Sequence, residues 1–266
     1  MHWLKEAPPG RLAPISHESS PKIQVDPLFM DSNSKAILVS FSGIDGSGKS
    51  TQIERLHGRL LARGLTVTRL AFWDNVVVLP RLRAGITRKV LGGEQGIGKP
   101  GRPVKRNDKN TRRWYLTLVR APFYLFDVLS LRRVVKSARA TKPDVIIFDR
   151  YIYDQIAHIS DNWLGRICRR FLLHLAPRPH IAYLLDAEPE VATARKPEYP
   201  LEFVHRYRND YFSLLLLAPE ICLIASGEID TVATRILQEF EKHLSLGEHL
   251  PNSSCARTAH PQRISA

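Results

Sequence analysis

Gly43-Ile44-Asp45-Gly46-Ser47-Gly48-Lys49-Ser50-Thr51 decides how the rest of the chain is read. The stretch satisfies the pattern G-x-x-x-x-G-K-[ST], which a random chain of this length carries about once in a hundred. Its surroundings are those the pattern needs. The apolar run Ala36–Phe41 before it reads as a strand, and Lys49 to Arg63 after it has helical spacing with Gly64 as a C-terminal stop. Glycines let such a loop turn its N–H groups inward, and the helix that follows adds the positive end of its dipole, so the loop is built to cradle phosphate. Lys49 is expected to contact the β- and γ-phosphates of ATP and Ser50 to give its hydroxyl to Mg2+, with Gly43, Gly46, Ser47, Gly48 and Thr51 completing the cradle. Asp45 stands inside this loop, where a carboxylate facing phosphate would repel it, so it is expected to face another ligand.

Outward from the loop, short apolar runs alternate with longer stretches of helical period. The strands are predicted at Ala36–Phe41, Thr66–Phe72, Val145–Phe148, Ile181–Leu185 and Ile221–Ile224. Helices are predicted at Lys49–Arg63, Thr111–Arg139, Pro189–Ala194, Leu201–Leu217 and Ile229–Leu244. The implied fold is α/β: three layers, α/β/α, around a five-stranded, mostly parallel sheet of the P-loop NTPase type. Residues 35–246 form that domain, with 75–110 as a basic, flexible insertion rich in glycine, lysine and arginine. Residues 1–34, rich in proline, serine and charge, and 247–266 are expected to be disordered.

The 266 residues are 44% hydrophobic, enough for a substantial core, and carry a formal charge of +13 that attracts polyanions without choosing among them. Cys168, Cys222 and Cys255 are too widely spaced for a disulfide framework or a C-x-x-C metal site, which points to a reducing cytoplasm. No run approaches the ~20 apolar residues of a membrane span.

A second constellation follows the predicted strand Val145–Phe148, as Asp149-Arg150-Tyr151. Ligands of open α/β sheets sit at the carboxyl ends of the strands. Asp149 is suited to order Mg2+ through water, and the Arg150 fork suits an acceptor phosphate.

Together these segments resemble the thymidylate kinase family. Phe41 through Gln52 is similar to the opening of those enzymes, and Asp149-Arg150-Tyr151 to their D-R-Y/H motif. Leu185-Asp186-Ala187-Glu188-Pro189-Glu190-Val191-Ala192 resembles the strand and turn before their lid, and Phe203-x-x-Arg206-x-Arg208-x-x-Tyr211 the helix after it. The resemblance spans Ala36 to Leu244. It implies ATP-dependent phosphorylation of a nucleoside monophosphate, dTMP to dTDP, with Mg2+, and a homodimer packed through helices. Asp45 would approach the acceptor's 3′-hydroxyl. Arg150 and, on the long helix, Arg120 would bind its phosphate. Tyr115, Phe123 or Tyr124 would stack on the base, and Arg195 at the lid would stabilise the transferred phosphoryl group. Arg206 and Arg208, two residues apart, cannot share a helix face, so at most one points into the site.

Three departures bear on the acceptor. Ser42 stands where the family usually has glutamate. Arg69-Leu70-Ala71-Phe72-Trp73-Asp74-Asn75 replaces an R-E-P-G-G-like segment. The lid is cut to Arg195-Lys196-Pro197-Glu198-Tyr199-Pro200. Arg102, Lys105, Arg106, Lys109, Arg112 and Arg113 could compensate by folding over the triphosphate. Two further readings stay open: a kinase of another small acceptor, a nucleoside or sugar phosphate, and a nucleotide- or nucleic-acid-binding module without turnover. An intact Lys49-Ser50 and Asp149-Arg150 set is more than binding requires, and nucleic acid is not an expected partner.

Overall fold

The computed structural model describes residues 36–78, 114–159 and 161–247. The expected arm over 1–34, residues 79–110 of the expected insertion, the basic set from Arg102 to Arg113 and the tail beyond 247 lie outside the described residues.

The first strand, β1 (Ile37–Ser42), is apolar except at Ser40 and Ser42 and buried along almost its whole length, the pattern of a strand covered on both faces. It lies at the centre of the sheet. With β2 (Val67–Ala71), β3 (Val145–Asp149), β4 (Ile181–Leu185) and β5 (Ile221–Ile224), the spatial order is β2-β3-β1-β4-β5. Every pairing is parallel, so the sheet is wholly rather than mostly parallel. Because successive side chains of a strand face opposite ways, each central strand feeds two cores. Leu38, Ile146, Phe148, Ala182 and Leu184 face one layer, and Val39, Phe41, Val145, Ile147, Ile181 and Tyr183 face the other.

The second layer is supplied by α1 (Lys49–Ala62) and by the helix Ile229–Gly247 near the end of the chain, which place Ile53, Leu56, Leu60, Val232, Ile236 and Phe240 against that face. Gly64, at a φ of 79°, ends the first helical segment in the left-handed conformation glycine favours. In chain order the remaining helices are α2 (Phe72–Asn75), α3 (Trp114–Ala140), α4 (Ile152–Ile156), α5 (Trp163–Leu175), α6 (Pro189–Arg195) and α7 (Leu201–Leu214), and the helix Ile229–Gly247 is α8. Gly247 closes α8, so helix reaches one residue into the segment expected to be tail. The expected Leu201–Leu217 helix stops at Leu214 and gives way to a turn before Pro219, because the residue ahead of a proline is disfavoured in the helical region. Leu214 is fully buried while Leu216 is 79% exposed, so the apolar run there is not uniformly a buried helix end.

Three helices were not legible in the sequence: α2, α4 and α5. The first two are a turn or so long and lie at strand ends. For α5 a signal existed, since Asn162 is a good N-cap type and its side chain accepts the Gly165 N–H at 2.7 Å. What hid the helix is a mixed pattern: Arg169 is buried beside Leu172 while Trp163, Ile167 and Phe171 are exposed. Among the described residues no helix is long and apolar enough to cross a membrane.

The chain leaves β1 toward β2 on one side and later returns to place β4 on the other, so the order reverses beside β1. The crevice at the carboxyl ends of β1 and β3 is therefore where this topology puts a ligand.

Candidate functional site

The 43–51 loop fills that crevice. Gly43, Gly46 and Gly48 have φ of 141°, 85° and 88°, in the region L side chains rarely adopt. A Cβ on Gly43 would fall 2.4 Å from the Leu185 carbonyl oxygen, and one on Gly46 2.3 Å from that of Ala192, so the loop is wedged against the end of β4 and against α6. The first turn of α1 holds no acidic residue to offset the positive helix end.

Lys49 is buried and folded back over the loop, its Nζ donating to the carbonyls of Gly43 at 2.9 Å and Ile44 at 2.7 Å, with Ser47 Oγ at 3.4 Å. Burial, then the nearby Arg150 guanidinium, lowers its pKa to about 8. Ser50 and Thr51, one step along, are exposed.

Asp149 lies level with Phe41 in the β1–β3 register, which brings the end of β3 beside the loop. Arg150 follows with its N–H on the Phe41 carbonyl at 2.9 Å and a φ of 65°, uncommon outside glycine. Its guanidinium reaches two carboxylates: Nη1 donates to Asp154 Oδ1 at 2.8 Å, and Nη2 pairs with Asp45 Oδ1. Burial works against the charge on Arg150, but Asp154 and Asp45 outweigh it and hold the guanidinium protonated.

Asp154, which sequence reasoning missed, is fully buried. Ser42 Oγ donates to its Oδ2 at 2.8 Å, and the Tyr151 N–H to the same oxygen at 3.3 Å. The Tyr211 hydroxyl lies 2.6 Å from Oδ1, 3.0 Å from the Tyr207 hydroxyl and 3.4 Å from the Gly43 carbonyl. It has one proton, and the short approach to a carboxylate is where that proton goes; Tyr207 then donates to Tyr211. Burial pushes both phenols well above the usual tyrosine range. The i,i+4 spacing from Arg150 to Asp154 could have flagged the pair, but nothing in the chain announces that Asp154 is buried. Asp127 on α3 was missed in the same way; buried, it accepts the Val78 N–H at 2.8 Å and the Gln155 amide at 2.7 Å.

The structure thus brings Gly43 through Thr51, Asp149 and Arg150 to one end of the sheet. The other expected residues stand differently. Arg195 is exposed in the last turn of α6. Arg120 is partly buried on α3, Phe123 is partly buried, Tyr124 packs against the core, and the Tyr115 side chain is outside the described set. Arg206 is exposed, whereas Arg208 turns to Asp186, through Nε at 2.6 Å and Nη2 at 2.7 Å, and to Glu188. That bidentate grip ties α7 to the end of β4.

No family model matches the sequence. Curated relatives do. The “Probable thymidylate kinase” of Methanosphaera stadtmanae is 25% identical over 223 residues, 78% of this chain and 99% of the relative. That of Archaeoglobus fulgidus is 24% identical over 225 residues, 79% of this chain and 97% of the relative. The “Thymidylate kinase” of Leptospira interrogans is 28% identical over 166 residues, 61% of this chain and 70% of the relative. Over most of its length the chain is similar to thymidylate kinases. A crystal structure of thymidylate kinase from Ehrlichia chaffeensis aligns with 78% of this chain and 100% of that one, at 18% identity and a TM-score of 0.48.

The departures from the thymidylate kinase pattern take physical form here. Ser42 carries a hydroxyl that bonds Asp154. The segment after β2 becomes α2, with Phe72 buried, Trp73 43% exposed and the Asn75 side chain accepting the Ala71 N–H at 2.7 Å. Only residues 196–200 separate α6 from α7, joined by a Lys196–Glu198 ion pair at 3.1 Å.

Proposed function

We propose that this nucleoside-monophosphate kinase transfers the γ-phosphoryl group of MgATP to dTMP, giving dTDP and ADP. One observation carries the reading: two cations bracket the same loop, Lys49 on the carbonyls of Gly43 and Ile44 and Arg150 on the side chain of Asp45. Lys49 would leave its carbonyls for the β- and γ-phosphates. Arg150 would offer its fork to the acceptor's phosphate, and Asp45 would turn to the acceptor's hydroxyl. An acceptor phosphate oxygen attacks the γ-phosphorus in line while the bond to the β–γ bridging oxygen breaks, the electron pair leaving with ADP. The acceptor is already anionic, so placement and charge neutralisation suffice. Arg120 and Arg195 are proposed as further phosphate contacts.

Ser50, exposed in the first turn of α1, and Asp149, at the end of β3, are the side chains proposed to serve Mg2+. No group of three or more His, Cys, Asp or Glu able to hold a metal occurs among the described residues, so phosphate and water would complete the coordination. When bound, the ion would draw off negative charge developing on the transferred group.

A different small acceptor is the second reading, favoured by the short 196–200 connection and by α2 in place of the family's acceptor-holding segment. A coupled ADP-release assay with MgATP against dTMP, dUMP, the other nucleoside monophosphates and thymidine, with Lys49→Ala as the blank, separates them. Turnover on dTMP that vanishes in the blank supports the proposal. Turnover on another acceptor alone replaces dTMP, and none on any acceptor overturns the kinase reading.

A further inference from the structure

Asp154 is bonded on every side. Its Oδ1 takes Arg150 Nη1 and the Tyr211 hydroxyl, its Oδ2 takes Ser42 Oγ and the Tyr151 N–H, and it is fully shielded from water. A carboxylate has about four lone-pair sites, so this one has no acceptor capacity left and no freedom to rotate. A buried carboxylate is costly unless it is paired in this way, and here the four donors come from β1, α7 and both sides of the β3–α4 turn. Asp45, the other partner of Arg150, is different: it is on the loop, and 15% of its side chain is exposed. Asp154 takes Nη1 of the guanidinium, and Asp45 meets its Nη2 edge.

We propose that Asp154 is the positioning residue for Arg150, fixing the plane of the guanidinium so that the edge now facing Asp45 is presented to the acceptor's phosphate. The left-handed backbone at Arg150, pinned to Phe41, serves the same end, since such a conformation persists only where its surroundings over-determine it. Ser42 belongs to the device as the hydroxyl that orients Asp154. Its Oγ lies 2.8 Å from the carboxylate, so a glutamate at 42 facing a serine at 154 would return a carboxylate to nearly the same place from the neighbouring strand. The identity of the phosphate rests on the kinase reading; the role of Asp154 does not.

The test compares wild type, Asp154→Asn and the exchange variant Ser42→Glu/Asp154→Ser, using NMR of the Arg150 guanidinium and steady-state kinetics with dTMP and MgATP. In wild type the Nη protons should give separate, slowly averaging signals. They should merge in Asp154→Asn and separate again in the exchange variant. The KM for dTMP should rise roughly 10- to 100-fold in Asp154→Asn, as for loss of a charged hydrogen bond, while that for MgATP stays within about twofold, and the exchange variant should recover most of the loss. Unchanged guanidinium signals in Asp154→Asn, an equal loss for both substrates, or an exchange variant that recovers neither readout would overturn the proposal. If wild type turns over no nucleoside monophosphate, the kinase reading falls and the guanidinium signals alone decide the role of Asp154.

Discussion

Lys49 has an ammonium held by two carbonyls and a hydroxyl, none of them charged, and burial has brought its pKa from 10.5 to about 8. Two opposite pH effects follow. A lysine that binds its proton less tightly when folded than when unfolded destabilises the fold while charged, so stability of the nucleotide-free protein should rise between about pH 8 and pH 10.5. Phosphate needs the charged form, so the dissociation constant of MgATP should be flat below about pH 8 and climb above it. Calorimetric titration of MgATP across this range checks the second effect, with urea unfolding of Lys49→Met, expected to lose the pH-dependent rise, as the check on the first. This much of the site was written locally: every atom Lys49 touches comes from residues 43–47. Arg150 was legible as a residue and illegible as a geometry, because one of its two partners is on another element.

Elements were most legible where burial was uniform. The five strands stand within about a residue or two of their expected bounds, and β1, β3, β4 and β5 are mostly buried, largely apolar runs, as strands covered on both faces should be. Helix α5 carries apolar residues on both sides, Leu172 buried and Leu173 and Leu175 packed against the core, Trp163, Ile167 and Phe171 in solvent, so no single apolar stripe marked it. Its N-cap offers a clean test. Replacing Asn162 by alanine removes the acceptor for the Gly165 N–H and should cost about 1 kcal/mol, lowering the midpoint of thermal unfolding by roughly 2–4 °C. By contrast, the exposed Arg55–Asp230 pair between α1 and α8 should contribute little, since solvent-exposed ion pairs rarely do.

At the scale of the molecule, two helices that pack together carry several of the exposed large apolar side chains, Phe126 and Leu129 on α3 and Trp163, Ile167 and Phe171 on α5. A homodimer packed through helices, which the family resemblance implies, would have to cover apolar surface of this kind. Ile167→Arg should convert a dimer to a monomer in size-exclusion chromatography with light scattering, and a monomeric wild type would remove that reading. The sequence by itself determined the phosphate loop, the strand before it and the helix after it, because a turn that needs glycine at left-handed φ and a lysine folding over its own loop are short-range requirements. It also determined the sheet class, through the alternation of apolar runs with helical period. Only the tertiary structure decided which carboxylates meet Arg150 and what holds them. Ser42 and Tyr211 stand 112 and 57 residues from Asp154 in the chain, and the pairing of β1 with β3 together with the packing of α7 on α4 brings them to one place and shuts out the water that would otherwise solvate the carboxylate.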